Sequence, residues 1–163
     1  VFGPVSSSDL DLVTRLLGRV PSGAFAVALR GPGGEPSVIV NAPHLDDGTP
    51  MPTRFWLVDG PLREAVSRLE AAGGVRQAEA ALAPESIAAA HERYAAARDL
   101  AIAPDHQGPR PSGGVGGTRQ GVKCLHAHLA WFLVGGDDPV GRWVVEQLAL
   151  DTTGYVVERG YGP

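Results

Sequence analysis

The sequence predicts an α+β protein: a small antiparallel sheet of about three strands packed against four to six helices. Three observations carry this. Two β-rich runs, "AFAVALR" and "PSVIVNA", flank the turn-forming cluster "GPGGE". Most of the remaining chain carries apolar residues at helical spacing, opened by Ser, Asp or Pro and closed by Gly. Finally, 163 residues with 44% hydrophobic and 20% charged content match one globular domain with a real core, spanning 1–163.

Taken in order, "SSSDLDLVTRLLG" reads as a short helix, with serine for a cap, Asp9 and Asp11 at its positive end, and Gly18 to stop it. The two strands follow, then a polar loop, then "RFWLV" as a third strand. Pro61 opens "PLREAVSRLEAAGG", whose Leu62, Val66 and Leu69 make a buried face. An alanine-rich helix is expected from about Glu85 to Ala103. The stretch at about 104–121 is too rich in proline and glycine for regular structure and is expected to be flexible. Helices over about Val122–Val134 and Val140–Leu150 come next, and a tail at 151–163 that docks or hangs loose.

Several function classes are disfavoured at this level. A formal net charge of -4 argues against a nucleic-acid platform. A single cysteine excludes an intramolecular disulfide. No apolar run approaches the roughly 20 residues of a membrane span. The start "VFGPVSSSDLDL" lacks the pattern of a secretory signal, so a cytoplasmic location is expected. The aromatics Tyr155 and Tyr161, read as exposed, make a homodimer contact one possibility for the tail.

The densest chemistry lies in "GVKCLHAHLAWFL", which holds the only cysteine, the only lysine and two of the five histidines. As a helix from Val122, it puts Val122, Leu125, Leu129, Phe132 and Leu133 on one core face. Cys124, His128 and Trp131 then share a flank, and His126 lies about 200° around from Cys124. Cys124 and His126 are therefore not expected to chelate one ion. Cys124 and His128, at i and i+4, could, but two ligands are too few for zinc. A catalytic Cys124 would need a helix N-terminus or a base, and its first-turn position meets the first condition. A buried free thiol beside a half-exposed histidine is the plainer alternative.

A second stripe lies on the alanine-rich helix, where "AAHERYAAARD" aligns His91, Tyr94 and Arg98, with Glu92 and Asp99 displaced to one side. The stripe could grip an anion, with Arg98 as a bidentate fork. The alternative is a solvated or interfacial face on which Arg98 pairs with a local carboxylate.

In order along the chain, "APHLDDGTPMPTRFWLVDGPL", "SRLEAAGGVR", "AHERYAAARD" and "GVKCLH…DPVG" resemble a mainly actinobacterial domain-of-unknown-function family, numbered 501. The resemblance covers roughly 8–150. It implies residue candidates rather than a reaction. Family members typically carry cysteine in the turn after the first strand, and cysteine or histidine after the later "YYL" strand. Here Gly31 and Gly33 stand in that turn, Asp59 follows the strand, and Trp131 replaces a frequent histidine. The resemblance thus implies that no structural metal and no cofactor is held, with Cys124, His126 and Asp59 as remnants. His91, Glu92, Tyr94, Arg98, Asp99, Thr53 and Lys123 match the family pattern. The loop "SGGVGGTRQG" leads into a helix start beside Arg119 and Lys123, a corner favourable to anions.

The expected function is binding of a small anionic metabolite in a pocket between sheet and helices. Its expected residues are His91, Glu92, Tyr94, Arg98, Arg119, Lys123, Cys124 and His126. The alternatives are a non-enzymatic interaction module and a degenerate metal-binding scaffold.

Overall fold

The computed structural model describes residues 2–161. Its first helix, α1 (Ser7–Leu17), starts where the Asp9 amide donates to the Ser6 hydroxyl and stops at Gly18, whose φ of 73° suits glycine. The strands β1 (Phe25–Arg30) and β2 (Pro36–Asn41) form the expected antiparallel hairpin, and β3 (Phe55–Leu57) pairs with the far edge of β2. The sheet has a fourth strand. Val156–Val157 of the tail forms β4, antiparallel to β1, and gives the order β3-β2-β1-β4.

Arg30 explains why the tail docks. Its guanidinium grips both oxygens of Asp9 on α1, at 3.0 and 2.8 Å, and donates Nε–H to Glu158 just beyond β4, at 2.6 Å. The bidentate bond holds the Asp9 carboxyl below the usual carboxylate range. One side chain thus ties the first helix, the first strand and the last strand together. Tyr155 and Tyr161 correct the expectation of exposed aromatics. Both are half-buried against the main core, and Tyr161 packs on Phe2 with ring centroids 5.7 Å apart.

β1 and β2 read as nearly continuous apolar runs because both faces of the sheet are covered. Ala26, Ala28, Val38, Val40, Phe55 and Leu57 face the main core, whereas Phe25 and Ile39 pack with Val13, Leu16 and Leu17 of α1.

Six α-helices, and a short 3-10 turn at Val115–Gly117, are present among the described residues. α2 (Gly60–Ala71) is opened by Asp59, whose carboxylate accepts from the Leu62 amide at 2.9 Å and from the Ser37 hydroxyl at 3.1 Å. α3 (Gly74–Ala81) is an addition to the sequence reading. It turns directly off α2 at Gly74, where a Cβ would lie 2.6 Å from the Leu69 carbonyl oxygen. α4 (Pro84–Asp99) ends before the expected Ala103 in tight turns closed by Ala101 and Ile102 amides.

α5 (Leu125–Leu133) starts three residues later than expected, with Cys124 as an extended cap residue at φ -154°, ψ 120°. α6 (Pro139–Gln147) stops short of Leu150. α5 is the central helix, packed between β3 and α6 with Leu125, Leu129, Ala130 and Trp131 buried. His128 points into that core and is fully buried. Its Nδ1–H donates to Asp138 at 2.6 Å, and the other oxygen of Asp138 caps α6 by accepting from the Val140 and Gly141 amides. His128 is therefore a packing residue and does not stand with Cys124 as an i, i+4 ligand pair. No helix among the described residues is long and apolar enough to cross a membrane.

Removing the shared carboxylate strips α6 of its cap and orphans a buried imidazole N–H. Asp138→Ala is expected to lower unfolding stability by about 3 kcal/mol in urea titrations, whereas Asp137→Ala, at an exposed surface pair, costs less than about 1 kcal/mol. Equal small losses for both would remove the role assigned to Asp138.

Candidate functional site

The segment from Gly121 to His126 is placed by side chains that reach it from three helices. His91 on α4 donates Nε2–H to the Gly121 carbonyl at 2.8 Å. Glu79 on α3 accepts from the Val122 amide at 2.8 Å. Glu70 on α2 accepts from the Leu125 amide at 2.7 Å. Glu70 thereby fills the capping role that Cys124, which makes no cap hydrogen bond, leaves open. The two carboxylates suit the positive end of α5.

The held segment forms one wall of an open cleft of about 760 Å³ between β3, α2 and α5. Thr53, Phe55 and Trp56 line the sheet side, Arg63 and Ser67 come from α2, and Lys123, Cys124 and His126 come from the held segment. This volume lies within the roughly 300–1,000 Å³ of small-molecule pockets. Among the described residues, the exposed Lys123 has no hydrogen-bonding or ion-pair partner. Arg63 donates to the Leu16 carbonyl at 2.6 Å, which holds its guanidinium at the cleft edge.

Cys124 and His126 meet at the cleft wall. The extended backbone at Cys124 turns its sulfur to 3.7 Å from His126 Nδ1, and Glu70 Oε1 lies 3.2 Å from the same nitrogen. On the far side of the ring, Nε2 is 3.2 Å from both the Arg63 carbonyl and the Ser67 hydroxyl. These surroundings raise the pKa of His126 above its usual value of 6.5. The hydrogen bond with Cys124 is the main cause, assisted by the charges of Cys124 and Glu70 against the opposing effect of burial. The 200° separation expected on a helical wheel does not hold, because Cys124 lies outside the helix. Asp59 does not join the pair, since both its oxygens are committed to Leu62 and Ser37. Glu70 takes that place.

The remaining expected site residues lie elsewhere. His91, Glu92, Arg98 and Arg119 border a separate cavity of about 400 Å³ between α4 and the Pro111–Gly114 backbone. Arg98 is 2% exposed, and its fork is spent on the Gly113 carbonyl at 2.7 Å, the Pro111 carbonyl at 3.3 Å and Asp99 at 2.9 Å. His91 accepts from the Val115 amide through Nδ1 at 3.0 Å. Gly114 makes that bond possible, since a Cβ there would lie 2.4 Å from the His91 Cβ. Arg98 and His91 therefore hold the Gly/Pro loop instead of forming an anion grip. Tyr94 is buried between Phe55 and Trp131, its hydroxyl accepting from the Arg54 amide, and burial pushes its pKa up to about 12. It is a core residue.

Sequence reasoning missed Arg63, Ser67 and Glu70. They recur at i, i+4 and i+7 on α2, a polar stripe that was available as a signal.

A family model described as "Protein of unknown function (DUF501)" matches residues 27–146, which takes in nearly all of the cleft and the loop that borders it. The chain belongs to this family. The match runs from within β1 to within α6 and leaves α1 and β4 outside it. No curated protein and no solved structure matches the chain.

Burial holds the pKa of His91 below its usual 6.5, and the neutral ring is the form that both accepts from Val115 and donates to Gly121. The unfolded chain takes up a proton at the ordinary value, so this contribution to stability is complete above about pH 6.5 and is lost as pH falls toward the folded value. Hydrogen exchange of the Val115 amide is expected to speed up, beyond intrinsic chemistry, between pH 7 and 5. In Gly114→Ala it is expected to be fast throughout. Unchanged protection in both would contradict this account of the loop.

Proposed function

We propose that the protein binds a small anionic ligand in the cleft between β3, α2 and α5. The observation that carries this reading is the Lys123 ammonium, unpartnered among the described residues, on a cleft lined also by Arg63, Ser67 and Thr53. Glu64 also lines the cleft but is paired with Arg68, so a carboxylate or phosphate here would meet Lys123 and Arg63 and accept from several donors at once. Leu17 and Trp56, both half-buried on the cleft, supply apolar surface for the body of the ligand.

Lys123, Cys124 and His126 remain from the residues expected on sequence grounds. Arg63 takes the place of Arg98, whose guanidinium is already occupied by loop carbonyls. Two alternatives stand beside this reading, a protein-interaction module and a scaffold that has lost an ancestral ion. The breadth of the cleft and its mixed lining favour a small ligand over either.

A thermal-shift screen with phosphorylated and carboxylated metabolites tests this directly. A ligand at about 100 times its Kd adds roughly 2.7 kcal/mol, a shift of several degrees for a domain of this size. Lys123→Ala is expected to abolish the shift at unchanged intrinsic melting temperature. Arg98→Ala is expected to lower the melting temperature and leave the shift intact. A shift that survives Lys123→Ala and vanishes in Arg98→Ala would move the ligand to the α4 cavity and refute the proposal.

A further inference from the structure

Glu70, Cys124 and His126 present a carboxylate oxygen, a sulfur and an imidazole nitrogen, all within 4.8 Å of one another, from two different elements. We infer that these three side chains form a binding site for one zinc-class divalent cation, whose fourth position opens to the cleft. The inference goes beyond anion binding and stands independently of it.

The spacing is the first argument. Zinc bonds of about 2.3 Å to sulfur and about 2.0–2.1 Å to nitrogen or oxygen, at tetrahedral angles, set ligand atoms about 3.5 Å apart for sulfur–nitrogen and about 3.3 Å for nitrogen–oxygen. The corresponding separations are 3.7 Å for Cys124 Sγ to His126 Nδ1 and 3.2 Å for Glu70 Oε1 to His126 Nδ1. These two pairs already match zinc's spacing, and the third pair, Glu70 and Cys124, lies within 4.8 Å and closes as the ion is bound.

The chemistry of the donors is the second argument. A thiolate, an imidazole and a carboxylate form a set that suits zinc and disfavours magnesium or calcium, which take oxygen alone. Binding would displace the thiol proton and any proton on Nδ1 to solvent. The thiolate and carboxylate would then balance the ion's two charges, leaving Lys123 and Arg63 to attract an anion to the open position.

The outer partners are the third. A metal-ligating histidine generally donates its other N–H to a carbonyl or carboxylate, and His126 Nε2 already faces the Arg63 carbonyl at 3.2 Å. Glu70 is oriented by the Leu125 amide at 2.7 Å, and a second lone pair and a second oxygen remain for the ion. Cys124 and His126 line the cleft and are half-buried, so an ion has an entry path and the fourth position has a ligand source. Three protein ligands with one open position is the arrangement of catalytic rather than structural zinc sites.

Cobalt(II) titration of the full chain under reducing conditions tests the inference. The expected result is one cobalt per chain at micromolar concentration, with a near-ultraviolet thiolate-to-metal charge-transfer band and intense visible bands of tetrahedral type, all displaced by zinc. Cys124→Ser is expected to lose the charge-transfer band. His126→Gln and Glu70→Gln are expected to weaken binding by more than the roughly 10–100-fold that loss of an outer partner alone costs. Far-ultraviolet circular dichroism of each variant confirms folding, and Glu70→Gln preserves an oxygen for the Leu125 amide. A folded wild-type chain that takes up no cobalt would overturn the inference, as would binding that survives all three substitutions. The anion shift is read separately on protein freed of metal by a chelator that is then dialysed away. Loss of the ion site therefore cannot be mistaken for failure of anion binding.

Discussion

The Glu70 carboxylate reaches from α2 to the Leu125 amide and fixes where α5 begins, and the geometry of the cleft follows from that bond. A helix start leaves amides without partners. Cys124 makes no cap hydrogen bond, so a carboxylate from a neighbouring helix satisfies one of them. The consequence is an extended Cys124, a sulfur turned toward His126, and a lysine left on the open side. Were α5 to begin at Val122, the thiol and the imidazole would lie on opposite flanks and the cleft wall would carry no chemistry.

A second set of bonds keeps this arrangement in register. His91 and Arg98 from α4 hold the backbone between Pro111 and Gly121, and Glu79 holds Val122. The loop that precedes the cleft wall thus has its carbonyls and amides paired with side chains where no sheet or helix can pair them. The polar stripe of α4 is positioning machinery, and Lys123 and His126 owe their placement to it. Behind the wall, the buried pair of His128 and Asp138 joins α5 to α6, so the helix that carries His126 is fixed from both ends.

Much of the fold was legible in the sequence because its signals are local. The serines before α1, Pro61 and Gly18 mark helix ends by their own side-chain and backbone preferences, and the β1–β2 hairpin follows from two apolar runs around a glycine-rich turn; Asp59, read as a ligand remnant, is instead the cap of α2. Some misses were decided by partners distant in sequence and others by weak local signals. β4 forms because Arg30 draws Glu158 across 128 positions, and the eight-residue α3 opens at a glycine with no side-chain cap to mark its start. The candidate site followed the same division. Lys123, Cys124 and His126 were visible as a dense cluster, yet helical periodicity alone put Cys124 and His126 on opposite flanks. The deciding group, Glu70, lies 55 positions from the amide it caps.

Glu70 would serve two partners at the inferred site, the α5 amide and an ion shared with Cys124 and His126. Anomalous diffraction at the zinc edge, from crystals grown with zinc, tests this most directly. The account predicts one peak about 2.3 Å from Cys124 Sγ and about 2.0–2.2 Å from His126 Nδ1 and a Glu70 oxygen, with the Leu125 amide still bound to Glu70. No peak at this place, or a zinc ion held elsewhere while Glu70 contacts the amide alone, would contradict it.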